Sequence, residues 1–232
     1  MHISGLLKMT LLDYPGRVAC TIFTKGCNFR CPFCHNASLV NTEGAEEELD
    51  TDEVLRYLKK RAGLLDGVVV SGGEPLLQAD LEDFLVSVRS MGYEIKIDTN
   101  GSQPEKLIRL AEKGLIDYAA MDIKNSPALY DRTIGLPEAD LETVRASRDY
   151  LLSGRVSSEF RTTVVKGLHT AESLTEAARF IEGAEAYYLQ QYTDSGNILS
   201  PAGLAAYSDS EMRQLLACVQ KVIPGAALRG LG

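Results

Sequence analysis

The run Gly26–Asn36 reads G-C-N-F-R-C-P-F-C-H-N and sets Cys27, Cys31 and Cys34 in a C-x3-C-x2-C spacing. A loop that curls can bring thiolates at this spacing onto one soft metal centre. Three is the informative number. A closed structural zinc site takes four protein ligands, and a fully protein-ligated iron–sulfur cluster takes four cysteines. A [4Fe–4S] cluster on three cysteines leaves one iron open to bind something else. Two plainer readings stand beside this one. Zinc could sit on Cys27, Cys31, Cys34 and His35, although adjacent residues do not easily reach one tetrahedral ion from a short loop. The thiols could also be independent packing groups, although packing gives no reason to gather three of them in one turn.

Other polar groups recur at the ends of apolar runs. Ser71-Gly72-Gly73-Glu74-Pro75 follows one such run, Asp98-Thr99-Asn100-Gly101 ends the next, and Asp122-Ile123-Lys124 ends a third. Arg161 lies within a fourth. Gly72-Gly73 is either a plain turn or a place where backbone must approach a ligand without a Cβ between them. Asp98, Asp122 and Lys124 are either a solvated salt bridge, worth little alone, or part of a binding site.

The elements that must position these groups are legible as an alternation. Short β-branched runs predict strands at Val18–Phe23, Gly67–Val70, Tyr93–Thr99, Asp117–Ile123, Glu159–Val165 and Tyr187–Gln190. Helix-period segments fill the gaps at Asp52–Arg61, Ala79–Met91, Glu105–Lys113, Glu138–Leu152 and Ala171–Ile181. A last helix fits Asp209–Val222, with Ser208 and Glu211 spaced as a capping box. Such alternation implies parallel strands with right-handed crossovers. Glu94, Lys96, Asp98 and Asn100 share one strand face, opposite Ile95, Ile97 and Thr99. A strand in an open, doubly covered sheet would be apolar on both faces. The polar face predicts a wet, curved interior, and six units are too few for a closed eight-stranded barrel. The expected fold is α/β, a partial (β/α)6 TIM-like barrel. Residues 1–232 read as a single domain, with 1–16 a short strand or hairpin ahead of it. The candidate polar groups then gather at the C-terminal ends of the strands, where barrel function collects. The acidic run Glu43–Asp50 reads as a solvated loop leading to a helix.

A net charge of −8 argues against a general grip on nucleic acid. Of the five cysteines, Cys20 and Cys218 lie outside the motif and read as small buried hydrophobes. An odd, clustered set is not a secreted disulfide framework. Gly5–Leu12 is too short for a membrane span and is interrupted by Lys8. The expected setting is a reducing cytoplasm, with no membrane partner.

C-x3-C-x-Φ-C, with aromatic Phe33 before the last cysteine, resembles the signature of the radical S-adenosylmethionine (SAM) enzymes. The continuation Cys34-His35-Asn36, with L-L-D-Y-P-G-R ahead of the loop, is similar to the branch that activates glycyl radical enzymes. The likeness runs from about Leu12 to about Gly167. It implies a partial barrel, a [4Fe–4S] cluster on Cys27, Cys31 and Cys34, and SAM bound by Phe33, Gly72, Gly73, Glu74, Asp98, Lys124 and Arg161. Phe33 would pack near the adenine, and the Gly72-Gly73 backbone would orient the SAM amino group, with Glu74 as an alternative brace for the loop. Asp98 and Asp122 would hold Na+ or K+ beside the SAM carboxylate, since two close carboxylates need a cation to ionise comfortably. His35 would tune a sulfur or simply occupy a first helical turn. The implied activity is reductive cleavage of SAM and removal of a glycine Cα hydrogen from a glycyl radical enzyme, under anaerobic conditions. The implied partners are an anaerobic ribonucleotide reductase, with pyruvate formate-lyase second, and a flavodoxin or ferredoxin-like electron donor. A radical SAM enzyme acting on a small molecule is a further alternative. One departure stands out. The pyruvate formate-lyase activators carry a histidine near the SAM ribose where Thr193 follows Tyr192 here.

Overall fold

In the computed structural model, residues 1–40, 48–194 and 196–230 are described. Most of the acidic run therefore lies outside the described residues; its last member, Asp50, caps the next helix. Among the described residues, one sheet holds eight strands in chain order. They are β1 (Ile3–Thr10), β2 (Ala19–Thr24), β3 (Gly67–Gly72), β4 (Glu94–Thr99), β5 (Tyr118–Asp122), β6 (Ser157–Val164), β7 (Tyr187–Gln191) and β8 (Ala227–Arg229). β1 runs antiparallel to β2, and every later neighbour is parallel. The expected partial TIM-like barrel is thus present, with β2–β7 as its six predicted strands. A strand is added at each margin. β1 is the N-terminal strand anticipated within residues 1–16. β8 is a seventh parallel strand absent from the sequence reading.

The helices are α1 (Ala37–Val40), α2 (Thr51–Arg61), α3 (Leu81–Ser90), α4 (Pro104–Glu112), α5 (Tyr130–Ile134), α6 (Leu141–Leu152), α7 (Ala171–Phe180) and α8 (Asp209–Val219). The anticipated box at Ser208 and Glu211 caps α8, each side chain meeting the other residue's backbone N–H. α6 starts at Leu141 because Asp140 accepts the Thr143 N–H, three residues later than the apolar period suggested. Short α1 and α5 carry too few turns to show a period.

Alternation along each strand separates two interiors. Ile22, Val68, Val70, Ile95, Ile97, Ala119 and Met121 are fully buried in the main apolar core, together with helical Leu58, Leu85 and Leu107. The opposite face lines the lumen. Its floor is apolar: Tyr14, Ala19 and Val69 form a separate buried cluster with Tyr118 against it. The Tyr14 and Tyr118 rings lie 5.9 Å apart. Gly67 makes room for this plug, since a Cβ there would meet Tyr14 Cδ1 at 2.8 Å. Above the floor the lumen turns polar. Arg229 of β8 donates to both oxygens of fully buried Glu159 at 2.8 Å each, and stacks 3.7 Å above the Tyr188 ring. That fork holds the three-residue strand β8 onto the sheet.

Candidate active site

The loop after β2 carries the three thiols, and four other segments fix its path. Gly26 N donates to Leu39 O at 2.7 Å, and Arg30 N to Ile134 O at 2.8 Å. Ser200 N donates to Pro32 O at 2.8 Å and Leu199 N to Cys34 O at 3.2 Å. Glu74 N donates to Gly26 O at 2.8 Å. The C-terminal end of α5, a helix with no signal in the sequence, therefore holds the cysteine loop in place. Gly135 permits this, with φ +69° and a Cβ position only 2.2 Å from Arg30 O.

A cavity of about 480 Å³ opens over the strand ends. Cys27, Cys31, Cys34, Phe29, Phe33, His35 and Asn36 line it from the loop. Gly72, Gly73, Asp98, Asp122, Lys124 and Arg161 line it from the strands. The structure thus brings together all the expected site residues except Glu74. That carboxylate is fully buried behind the wall. Its Oε1 accepts from Leu76 N at 3.2 Å and Thr99 Oγ1 at 2.8 Å, and its Oε2 from Asn100 N at 2.7 Å. Glu74 is the brace, tying the β3 turn to the end of β4.

The glycines also serve a different neighbour from the one anticipated. A Cβ on Gly73 would fall 2.1 Å from Gly26 O, and one on Gly72 would fall 2.3 Å from Thr24 N. Their missing side chains let the β3 turn dock onto the root of the cysteine loop. Both glycines still line the cavity.

Burial pushes the Glu74 carboxyl up to about 7, against the pull of its three donors. A carboxyl raised in the folded state contributes stability below its ordinary value near 4.5, and loses it as pH rises through about 7. The stability advantage of wild type over Glu74→Gln is therefore expected to narrow by roughly 2–3 kcal/mol between about pH 4 and 8. Denaturant unfolding of both proteins across that range checks it. A constant or widening gap would mean that Glu74 is ionised throughout.

Asp98 and Asp122 stand at neighbouring strand ends, joined by one guanidinium. Arg161 Nε donates to Asp122 Oδ1 at 3.0 Å and Nη1 to Asp98 Oδ2 at 3.3 Å. Lys124 Nζ reaches Asp122 Oδ2 at 3.0 Å. Burial pushes each carboxyl up, yet the cations, Arg161 foremost, more than offset it and hold both below the usual range. The solvated rim salt bridge does not describe this site: the Arg161 side chain is only 13% exposed.

Sequence reasoning missed three contributors. Asn100 Nδ2 lies 3.8 Å from Cys27 Sγ, a sulfur-directed donor in the role expected of His35. His169 is buried. Its Nδ1 accepts from Val165 N at 3.0 Å, its Nε2 donates to Lys124 O at 2.8 Å, and its ring meets Phe33 edge-on at 6.4 Å. Lys96 is the third, buried beside Asp98. Asn100 was signalled by the D-T-N-G run and Lys96 by the polar face of its strand; His169 had no spacing signal. Thr193 is exposed, and Thr163 and Gln190 line the cavity on that side instead.

The donor set suits an iron–sulfur cluster. Burial raises the Cys27 thiol and pushes Cys31 up to about 12, so thiolates here need a strong positive centre against them. Iron supplies that charge, and a coordinating thiol is deprotonated outright. Among the described residues, no three His, Cys, Asp or Glu side chains are grouped to hold a single metal ion. The zinc alternative with His35 therefore has no preformed site there.

A half-open parallel barrel with a thiol loop over its strand ends defines a class of cofactor-binding α/β protein. The radical SAM superfamily profile matches residues 21–181, and the chain belongs to that superfamily. A Methanocaldococcus jannaschii protein, provisionally named a glycyl-radical enzyme activating enzyme, is 28% identical over 98% of this chain and 95% of its own length. The pyruvate formate-lyase-activating enzyme of Clostridium pasteurianum is 34% identical over 52% of this chain, which spans 53% of that enzyme. Among solved structures, Streptococcus suis SuiB bound to S-adenosylmethionine superposes with a TM-score of 0.68 at 17% identity. That match covers 88% of this chain and 48% of SuiB, and it bears on the fold alone. Membership implies a [4Fe–4S] cluster and SAM. No helix among the described residues is long and apolar enough to cross a membrane.

Proposed function

We propose that this protein is a glycyl-radical-enzyme activase, with an anaerobic ribonucleoside-triphosphate reductase as its partner. The observation that carries the activase reading is the end-to-end match to the M. jannaschii protein, 98% of one chain against 95% of the other; the reductase rests on the resemblance of the L-L-D-Y-P-G-R run and the cysteine loop. Cys27, Cys31 and Cys34 hold the cluster in the proposed site. When bound, the cluster and SAM, given one electron from a donor protein, would supply radical chemistry able to remove a hydrogen atom. The chain's own residues do the positioning. Asn100 donates toward the Cys27 sulfur, Phe33 packs against the nucleoside, and Arg161 with Lys124 faces the SAM carboxylate. The wall of Phe29 and Phe33 excludes water from the reacting region. The gap between β1 and β8 admits an extended loop of the partner, held chiefly through its backbone.

The expected result is a glycyl-radical doublet by electron paramagnetic resonance. It should form when reduced protein, SAM and the reductase are mixed without oxygen, and vanish when the partner's glycine becomes alanine. SAM cleavage with no radical on any glycyl radical enzyme would sink the activase reading. A second reading is activation of pyruvate formate-lyase, favoured by the C. pasteurianum match over half the chain. A doublet formed only with that enzyme would select it.

A further inference from the structure

The implied Na+ or K+ between Asp98 and Asp122 does not fit the donor set. All four carboxylate oxygens already meet donors. Asp98 Oδ1 accepts from Lys96 Nζ at 2.6 Å, and its Oδ2 from Ser71 Oγ at 3.0 Å and Arg161 Nη1 at 3.3 Å. Asp122 Oδ1 accepts from Arg161 Nε at 3.0 Å and its Oδ2 from Lys124 Nζ at 3.0 Å. Three fixed cations thus serve two anions. An alkali ion needs a local excess of negative charge, and this cluster, with three cations on two acids and a donor already at every carboxylate oxygen, lacks one.

Lys96 tips that balance. It sits on β4 two residues before Asp98, so both side chains project into the lumen. Its side chain is only 1% exposed. An ammonium so buried is tolerable only with its partner in place. Lys96 holds Asp98 from below while Arg161, crossing from β6, holds both acids from the side.

We infer that Lys96 and Arg161 take the place of an alkali cation, so that this chain binds SAM with neither sodium nor potassium in its site. The inference rests on the reading of this cavity as the SAM site. Within the Asp98–Asp122 cluster one unit of positive charge is left over after its two acids are matched, which suits a single ligand carboxylate. The protein would thereby carry its counter-charge covalently rather than recruit it from solution.

The test is equilibrium dialysis of SAM against anaerobically reconstituted protein. Tetramethylammonium, sodium and potassium chloride are compared at equal ionic strength. The wild-type dissociation constant should be the same in all three. In Lys96→Met it should weaken by about tenfold in tetramethylammonium, the scale of one charge-assisted hydrogen bond, and recover with sodium or potassium. Lys96→Arg keeps the charge and should remain indifferent to the ion. If Lys96→Met does not fold, the wild-type series decides alone. Wild-type binding that tightens by about tenfold or more with sodium or potassium overturns the inference and leaves the SAM site standing. Lys96→Met binding as tightly as wild type in tetramethylammonium also overturns it. Absence of SAM binding in every salt marks failure of the underlying reading instead.

Discussion

Replacing any one of Cys27, Cys31 or Cys34 with alanine is expected to abolish SAM cleavage and iron loading at about four per chain. Cys20→Ala and Cys218→Ala should leave both intact. The contrast is structural. The three loop thiols line one cavity wall on a segment anchored by α1, α5, the β3 turn and residues 199–200. Cys20 lies on β2, fully buried in the apolar core, and burial alone pushes its thiol up to about 12. Cys218 sits on α8 and does not line the cavity. Iron and sulfide analysis after anaerobic reconstitution, alongside methionine release from SAM, measures both quantities. Loss of iron in Cys218→Ala would break the three-cysteine assignment.

Arg161→Met should be clearly destabilising, costing roughly 1–3 kcal/mol because it strips a shared partner from two part-buried carboxylates, 15% and 32% exposed. The pH dependence should also change sign. In the wild type both acids are held below their ordinary value of 3.8. Their contribution is fully present above that value and is lost as pH falls through the folded-state values. Without the guanidinium, burial is opposed by Lys96, Lys124 and the Ser71 hydroxyl alone, and the folded-state values rise. The variant's deficit should then shrink as pH falls from about 7 toward 4. Denaturant unfolding of wild type, Arg161→Met and Arg161→Lys over that range tests this. Arg161→Lys keeps a charge but cannot span both acids, so it should fall between the other two. An Arg161→Met protein as stable as wild type at neutral pH would show that the lysines suffice.

What was legible in the sequence followed from repetition and spacing. β2–β7 stood out because each holds a β-branched or alternating run of four or more residues between helix-period segments. The polar face of β4 announced the wet lumen, because Lys96 and Asp98 recur at period two. β8 was illegible: Ala-Leu-Arg is too short to show a period, and what holds it is the fork from Arg229 to Glu159, seventy residues away in the chain. α5 was missed for the same reason, being five residues long. At the site, the motifs found the lining residues but not their partners. Nothing in G-G-E says that the glutamate turns inward to Thr99 and Asn100 while the glycines meet Gly26 and Thr24. Those are through-space relations between loops, which no local pattern encodes. His169 is the extreme case, an isolated histidine that, besides its local bond to Val165, meets Lys124 and Phe33 on two distant segments.

The Tyr14 plug has a kinetic consequence. Tyr14, Ala19, Val69 and Tyr118 pack across the floor of the lumen, and the cavity opens over the strand ends. Among the described residues, traffic passes by the rim or by the gap between the edge strands β1 and β8. On the function proposed above, a macromolecule seated over that entrance is a stopper. The small ligand must then be first in and last out, and spent fragments wait until the partner lifts away. Turnover would be governed by undocking, and a tightly bound partner would act as its own product inhibitor.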